Sequence, residues 1–375
     1  MTAATCRVCA AALGAPDFDR PAPALSSIRT LLPVATRVHV CTGCGHAQSP
    51  DLPALDDFYD TQYRISLDID GHDQLYENAR GEQVFRTQYQ AEIVAGLDIP
   101  QGAKILDFGA GKATTLERVV KARPDLEPHV FDVSTDYVAH WSAWVPEDNQ
   151  ATYALPDRWA GRFDLITAHF VLEHVADPVA ILNGLRRCLG PQGRVFFSVP
   201  NAETNTGDLL VADHLSHFTR ASLERLLTRA GLRPLSIDET GFQGAFLVVA
   251  EAGQAEASPR PAPETVSKLL ALWQDTLGDM SSQAWEEPLA IYGAGFYGSM
   301  LASCVHGKAS AFLDRNPYLQ GGTHLDLPVI APEDCPTDVR TVLVGLNPAR
   351  ARGILGDGDP WLPEGARLVF LDKLA

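Results

Sequence analysis

Lys104-Ile105-Leu106-Asp107-Phe108 runs directly into Gly109-Ala110-Gly111-Lys112-Ala113 and then into residues 114–122, whose apolar residues recur at helical spacing. A short apolar run, a glycine-rich turn and an amphipathic stretch read as strand, tight loop and helix. Glycines in such a loop let the backbone come close to a ligand. Working outward, a second strand, His129-Val130-Phe131-Asp132-Val133, again closes on an acid. Further strands are expected at Phe163-Asp164-Leu165-Ile166-Thr167, 193–199, 234–237 and 246–250. Helices fit between them at 178–189 and 220–230, the second stopping at Gly231 as a helix end should. Strands alternating with helices predict an α/β, doubly wound sheet over residues 61–252.

The chain has 375 residues, enough for two or three domains. Its 46% hydrophobic and 21% charged residues exclude a disordered or fibrous chain. No apolar run approaches the roughly 18 residues of a membrane span. Met1-Thr2-Ala3-Ala4-Thr5-Cys6-Arg7 lacks a basic stretch followed by an apolar core, so a cytoplasmic protein without membrane association is expected. Thirty Lys and Arg stand against 47 Asp and Glu, a formal charge of −17, which repels phosphate backbones and argues against a nucleic-acid polymer as partner.

Four of the seven cysteines form two close pairs, Cys6-Arg7-Val8-Cys9 and Cys41-Thr42-Gly43-Cys44. A two-residue gap lets both thiolates of a knuckle face one tetrahedral ion, and four sulfurs leave no open position. The expectation is a structural zinc site in a domain spanning residues 1–60, whose Pro-rich middle would build little core alone. Gly43 and Gly45 suit the knuckle turn, and His46 is a possible substitute ligand but is expected at the surface. Four ordinary small apolar residues are the plain alternative. Cys188, Cys304 and Cys335 read as buried small side chains.

Residues 253–264 are small, polar and Pro-rich, and read as a linker. A helix is expected at 265–277. Beyond it Leu289-Ala290-Ile291-Tyr292 leads into Gly293-Ala294-Gly295-Phe296-Tyr297-Gly298, and Asp314 ends the next strand pattern, so residues 265–375 form a second α/β unit. This glycine loop has two readings. It could bind a dinucleotide, making the chain an NAD(P)-binding or redox module, or its small residues could simply let a helix pack closely on the sheet.

The first loop has its own logic. Asp132 can accept both hydroxyls of a ribose, and Asp107 can organise the loop and an amino-acid end. With Leu155-Pro156 after the third strand and Phe170-Val171-Leu172-Glu173-His174-Val175-Ala176-Asp177-Pro178 after the fourth, the pattern resembles class I S-adenosylmethionine methyltransferases. Ala113 stands where many members have a third glycine. The resemblance implies a cofactor site of Asp107, Gly109, Ala110, Gly111, Asp132, Val133, Leu155, Pro156 and His169.

The flanks narrow it. Two cysteine knuckles, a central methyltransferase and a Rossmann-like C-terminal unit resemble the deoxysugar C-methyltransferases. So do Asp314-Arg315-Asn316-Pro317-Tyr318-Leu319-Gln320-Gly321 and the segment that follows. The resemblance covers nearly the whole chain, and implies a nucleotide-linked keto-deoxysugar as small-molecule substrate, held in part by the C-terminal unit, with the protein a monomer or homodimer. An O- or N-methyltransferase acting on a sugar or other small metabolite is the alternative on the same scaffold.

Methylating carbon requires a base that removes the proton beside a ketone, and His is the usual choice. Asp213-His214-Leu215-Ser216-His217 corresponds to a family segment that usually reads Glu-His-Leu-Ser-Tyr, which makes His214 the base and Asp213 its neighbour, with His217 in place of the Tyr. A Tyr from the segment before the sheet often closes over the site in that family. Tyr63 is the best match and Tyr59 the second. Glu173 and His174 are expected to be structural or on the cofactor side. An anionic substrate on an acidic chain needs a basic pocket, for which Arg64, Arg80 and Arg315 are candidates.

Overall fold

A computed structural model of the protein describes residues 4–52, 75–77, 82–254, 261–305, 307–356 and 359–375. Their contacts gather into two units. One comprises residues 1–14, 41–205 and 214–263, and the other residues 15–40, 206–213 and 264–375.

The first unit is built on seven strands: β1 (Lys104–Phe108), β2 (Glu127–Asp132), β3 (Gln150–Thr152), β4 (Phe163–His169), β5 (Leu189–Pro200), β6 (Leu232–Asp238) and β7 (Ala245–Ala252). They lie in the order β3-β2-β1-β4-β5-β7-β6. The first five are mutually parallel, and β7 runs antiparallel between β5 and β6. The described helices of this unit include α1 (Arg86–Ala95), α2 (Thr114–Ala122), α3 (Pro178–Cys188) and α4 (Arg220–Arg229). In β1 both faces are covered. Ile105 packs in the cluster that includes Val94 and Leu116, and Leu106 in the one that includes Trp159 and Leu182. Burial on both faces is why the strand reads as a continuous apolar run instead of alternating. Strand order reverses between β1 and β4, and in sheets of this type ligands bind outside the carboxyl ends of the strands at that switch point. The ends there are Phe108, before the glycine loop, and His169.

The second unit has a six-stranded sheet of β8 (Leu289–Tyr292), β9 (Ala309–Leu313), β10 (Thr323–His324), β11 (Leu327–Ile330), β12 (Thr341–Val344) and β13 (Arg367–Val369), in the order β10-β11-β9-β8-β12-β13. It also contains α5 (Pro263–Ser282), α6 (Phe296–Cys304) and α7 (Pro348–Ile354). The close-packing reading accounts for the third glycine of its loop. A Cβ on Gly298 would lie 1.8 Å from the Gly293 carbonyl oxygen, and one on Gly345 would lie 2.3 Å from the Gly298 Cα. Backbone touches backbone here, so any side chain would force α6 off the sheet. Asp314 accepts hydrogen bonds from the Ala294 and Asn316 N–H groups, both at 2.8 Å.

The N-terminal stretch does not gather into one body of its own. Residues 15–40, most of the stretch between the cysteine pairs, fold with the second unit, where Phe18–Arg20 pairs antiparallel with Thr36–Val40 and the Leu25 carbonyl accepts from the Ala212 N–H. The cysteines fold with the first unit, because their side chains are part of its core. Cys6, Val8, Cys41 and Cys44 share one apolar cluster with Phe218, Leu226 and Phe197. The linker expected at 253–264 also ends early, since α5 begins at Pro263 and not at residue 265. Proline is favoured in the first turn of a helix, where its missing N–H costs nothing.

Candidate active site and cysteine cluster

The loop after β1 is held open by several independent constraints. Gly109 has φ +73°, and a Cβ placed on it would come 2.5 Å from Val171 Cγ2. A side chain there would be strained and would clash, which explains the glycine. Gly111 has φ +52° and Ala113 φ +56°, so the alanine at the third small position adopts the left-handed conformation without glycine's freedom. The Gly109 and Ala110 N–H groups donate to the Phe131 carbonyl, and the buried Trp141 donates from Nε1 to the Gly111 carbonyl at 2.7 Å. Asp132 accepts from the Gly111 N–H at 2.8 Å and the Ser134 N–H at 3.1 Å. Burial raises its carboxyl pKa against the pull of these donors.

Asp107 is more strongly perturbed. Desolvation raises its pKa to about 7, opposed by a 2.8 Å hydrogen bond from Thr167 and assisted by the charge of Asp132. Two carboxylates at neighbouring strand ends, one poised near neutrality, suit a ligand that brings a positive charge and hydroxyl groups. The glycine cradle and these acids fit an adenosyl cofactor with an amino-acid tail. Of the other residues expected to contact it, Ala110, Leu155 and Pro156 are half-buried and Val133 is 55% exposed. The sequence reading passed over Tyr153, an aromatic 62% exposed with φ +62°, whose N–H donates to the Asp132 carbonyl. A bulky residue in that conformation is the signal that only structure supplies.

Beyond β4 the chain turns through Phe170, which has φ +56°. Strain of this kind collects at functional sites. The turn carries Glu173 and His174 to His214. The two imidazoles meet edge-on with centroids 4.6 Å apart, and a carboxylate oxygen of Glu173 and one ring nitrogen from each histidine lie within 4.8 Å of one another. Glu173 is 1% exposed, and its carbonyl accepts from the Ser216 N–H. Glu173 and His174, expected to be structural or on the cofactor side, are thus neighbours of His214, a proximity that only tertiary packing supplies.

The other predicted catalytic residues sit differently. Asp213, expected beside His214, uses both carboxylate oxygens on Ser27, whose N–H and hydroxyl each approach to 2.6 Å. The Glu173 carboxylate is the acid the structure sets within 4.8 Å of a His214 ring nitrogen. His217 is fully buried in a short ladder, Ser216 opposite Gln48 and His217 opposite Ala47, with Nε2 3.0 Å from Ser49 Oγ. A ring shut off from solvent by the knuckle segment is placed for packing rather than proton transfer. Tyr63, Tyr59, Arg64 and Arg80 lie outside the described residues. Arg315, the remaining candidate cation, is half-exposed and 3.8 Å from Asp359.

The four cysteines come together. Cys6 and Cys44 are 3.6 Å apart at sulfur, Cys9 and Cys41 are 3.5 Å apart, and all four sulfurs lie within 4.8 Å of one another. Tetrahedral zinc with bonds near 2.3 Å needs sulfurs roughly 3.8 Å apart, so the set fits. The knuckles are equivalent turns, with the Ala10 N–H donating to the Cys6 carbonyl and the Gly45 N–H to the Cys41 carbonyl, both at 2.8 Å. Ala10 and Gly45 both have positive φ. As bare thiols the cluster is electrostatically awkward. The hydrogen bond with Cys44 draws Cys6 down to about 5, while burial and the Cys6 charge push Cys41 up to about 11. A dication would relieve that conflict. His46, expected at the surface, is instead fully buried, its ring packed against Phe218 at a centroid distance of 5.3 Å. Cys188, Cys304 and Cys335 are buried and unbridged, as expected.

Residues 82–237 match a protein family described as a methyltransferase domain. The ubiquinone biosynthesis O-methyltransferase of Xanthomonas oryzae pv. oryzae is 32% identical over 114 residues, covering 29% of this chain and 47% of the relative. That of Methylococcus capsulatus is 30% identical over 105 residues, covering 27% and 44%. The chain thus spans just under half the length of the curated relatives it matches. Among solved structures, a methyltransferase of calicheamicin biosynthesis in its SAH-bound form is 22% identical, with a TM-score of 0.37 over 44% of this chain and 54% of that one. No helix among the described residues is long and apolar enough to cross a membrane. The seven-strand order, the glycine loop at its switch point and the matched segment together give the first unit the class I methyltransferase fold.

Proposed function

We propose that the chain is an S-adenosylmethionine-dependent methyltransferase that methylates a carbon of a nucleotide-linked keto-deoxysugar. The match of residues 82–237 to a methyltransferase domain supports the first part. The observation that carries the second is His214 set against His174 and Glu173 beyond the carboxyl end of β4. When bound, the cofactor supplies an electrophilic methyl group. Asp132 takes the ribose hydroxyls and Asp107 the amino-acid end, while the glycines at 109 and 111 admit the ligand to the backbone. His214 removes the proton beside the ketone, and the Glu173 carboxylate stabilises the imidazolium that results. With the cofactor held there, its sulfonium would offer the methyl group to the enolate carbon, S-adenosylhomocysteine would be the leaving group, and this chain's residues would contribute positioning. The four cysteines hold structural zinc and take no part in the reaction.

A second reading is methylation of oxygen, favoured by the O-methyltransferase relatives. A histidine base can serve a hydroxyl as well as a carbon acid. Solvent deuterium exchange separates the two. The full chain, given a nucleotide-linked keto-deoxysugar without cofactor, exchanges the hydrogen beside the ketone if carbon is methylated. Absence of exchange with a substrate that is nonetheless methylated would move the assignment to oxygen.

The Asp107 carboxyl makes cofactor binding pH-dependent. Its pKa is raised to about 7, so the ligand-free group ionises as pH rises through that value. Only the ionised form attracts an ammonium group. Affinity for S-adenosylhomocysteine should therefore rise about tenfold between pH 6 and pH 8. Asp107→Asn should flatten the profile, and titration calorimetry across that range checks both outcomes.

A further inference from the structure

At the carboxyl ends of β4 and β5 lies a pair of polar side chains to which the proposed mechanism gives no task, although the sequence placed one of them, His169, in the cofactor site. His169 ends β4, and Ser198 is its register partner on β5. Side chains paired across a parallel ladder project to the same face, and the His169 ring packs edge-on against Phe196, two residues before Ser198 on that face. Ser198 is 1% exposed. Its hydroxyl and both ring nitrogens of His169 are buried, with no hydrogen-bond partner among the described residues. A buried polar group left without a partner costs about 1–3 kcal/mol. Two such groups on one rung, at the carboxyl ends of the central strands, mark a place where a ligand completes the bonding.

The surroundings indicate its chemistry. Burial, then the positive charge of Arg86 at the start of α1, keeps His169 neutral, lowering its pKa to about 3. A neutral imidazole can donate one hydrogen bond, a serine hydroxyl a second, and the nearby guanidinium adds favourable potential. Two donors and a cation are complementary to anionic oxygen. We infer that His169 and Ser198 form an anion subsite that takes carboxylate or phosphate oxygens. The sources are the carboxylate of the cofactor's methionyl end or a phosphate of the acceptor. The inference rests on the methyltransferase reading for the identity of those ligands, but not for the subsite's anion chemistry.

The test measures binding of S-adenosylhomocysteine, 5′-methylthioadenosine and inorganic pyrophosphate to the full chain and to Ser198→Ala and His169→Phe. Methylthioadenosine lacks the carboxylate but keeps the adenosine. If the carboxylate occupies the subsite, both variants bind S-adenosylhomocysteine about tenfold more weakly and methylthioadenosine unchanged. If phosphate occupies it, pyrophosphate binding falls about tenfold and both adenosine ligands are unaffected. Ser198→Ala removes an unsatisfied hydroxyl, so the ligand-free protein should melt no lower than the unaltered chain, which separates lost binding from lost folding. Unchanged affinity for all three ligands, or an equal loss for methylthioadenosine and S-adenosylhomocysteine, overturns the subsite. Failure of the unaltered chain to bind either adenosine ligand would instead sink the methyltransferase reading, and the pyrophosphate arm would still decide the subsite.

Discussion

Cys44→Ser is expected to strip the purified protein of zinc and to lower its melting temperature by more than about 10 °C. Three thiolates bind the ion far more weakly than four, and structural zinc in small sites contributes about 10–16 kcal/mol of apparent binding free energy at neutral pH. Here that energy is coupled to the core of the first unit. Cys6, Cys41 and Cys44 pack in the cluster that contains Phe197, Phe218 and Leu226. The Val8 carbonyl accepts from Arg229 of α4, and Arg7 donates to the Ala176, Ser49 and Leu215 carbonyls. Loosening the knuckles therefore loosens the helix and loops that carry His214. About 5 kcal/mol lost from a unit of this size corresponds to roughly 10–20 °C. Cys188→Ser, a buried cysteine outside the cluster, is the control and should retain the metal. Elemental analysis of the unaltered chain showing no zinc, or an unchanged melting temperature in Cys44→Ser, would rule out a structural metal.

His214→Ala should lower the rate of methyl transfer by about 10²–10⁴-fold, the usual contribution of a positioned general base. Affinity for S-adenosylhomocysteine should stay within about twofold, because the cofactor loop belongs to β1 and β2 and not to the His214 segment. The same substitution should abolish deuterium exchange beside the ketone. His174→Ala gives a different signature. It leaves the base in place but removes its edge-on neighbour, so the pH profile of the rate should move while a measurable rate persists. Full activity in His214→Ala would be decisive against its role as base. Glu173→Gln tests the carboxylate in the same way, with a loss in kcat larger than any change in KM expected if Glu173 stabilises the imidazolium.

Much of this site could be read in the residues before any coordinates. Asp107, Gly109, Gly111 and Asp132 lie on consecutive strand–loop–helix elements, so local pattern alone placed them together at one end of the sheet. The expected strand at 104–108 and helix at 114–122 coincide with β1 and α2. The cysteine spacing was equally legible, because a knuckle is a local turn and two of them need only be brought together. What local pattern missed were partnerships across distance. Glu173 and His174 follow β4, His214 follows β5, and nothing in either segment announces that the two imidazoles touch. The same holds for Asp213, whose two oxygens are taken by Ser27, and for His217, which is buried beside Ser49. In each case the deciding contact joins residues far apart in the chain.

The domain boundaries show the same division. Composition separates a cysteine-rich beginning, a central α/β stretch and a second α/β unit. Composition cannot say that residues 15–40 fold with the C-terminal sheet while the cysteines that bracket them fold with the central one. The sequence by itself determined the strand and helix pattern, the glycine loop with its two acids and the four-thiol set, because each depends on neighbours within a few residues. Only the tertiary structure decided which acid faces the candidate base and which histidine is buried. It also decided which polar pair on β4 and β5 has no hydrogen-bond partner among the described residues, because those outcomes depend on long-range packing, and packing is fixed by the whole chain at once.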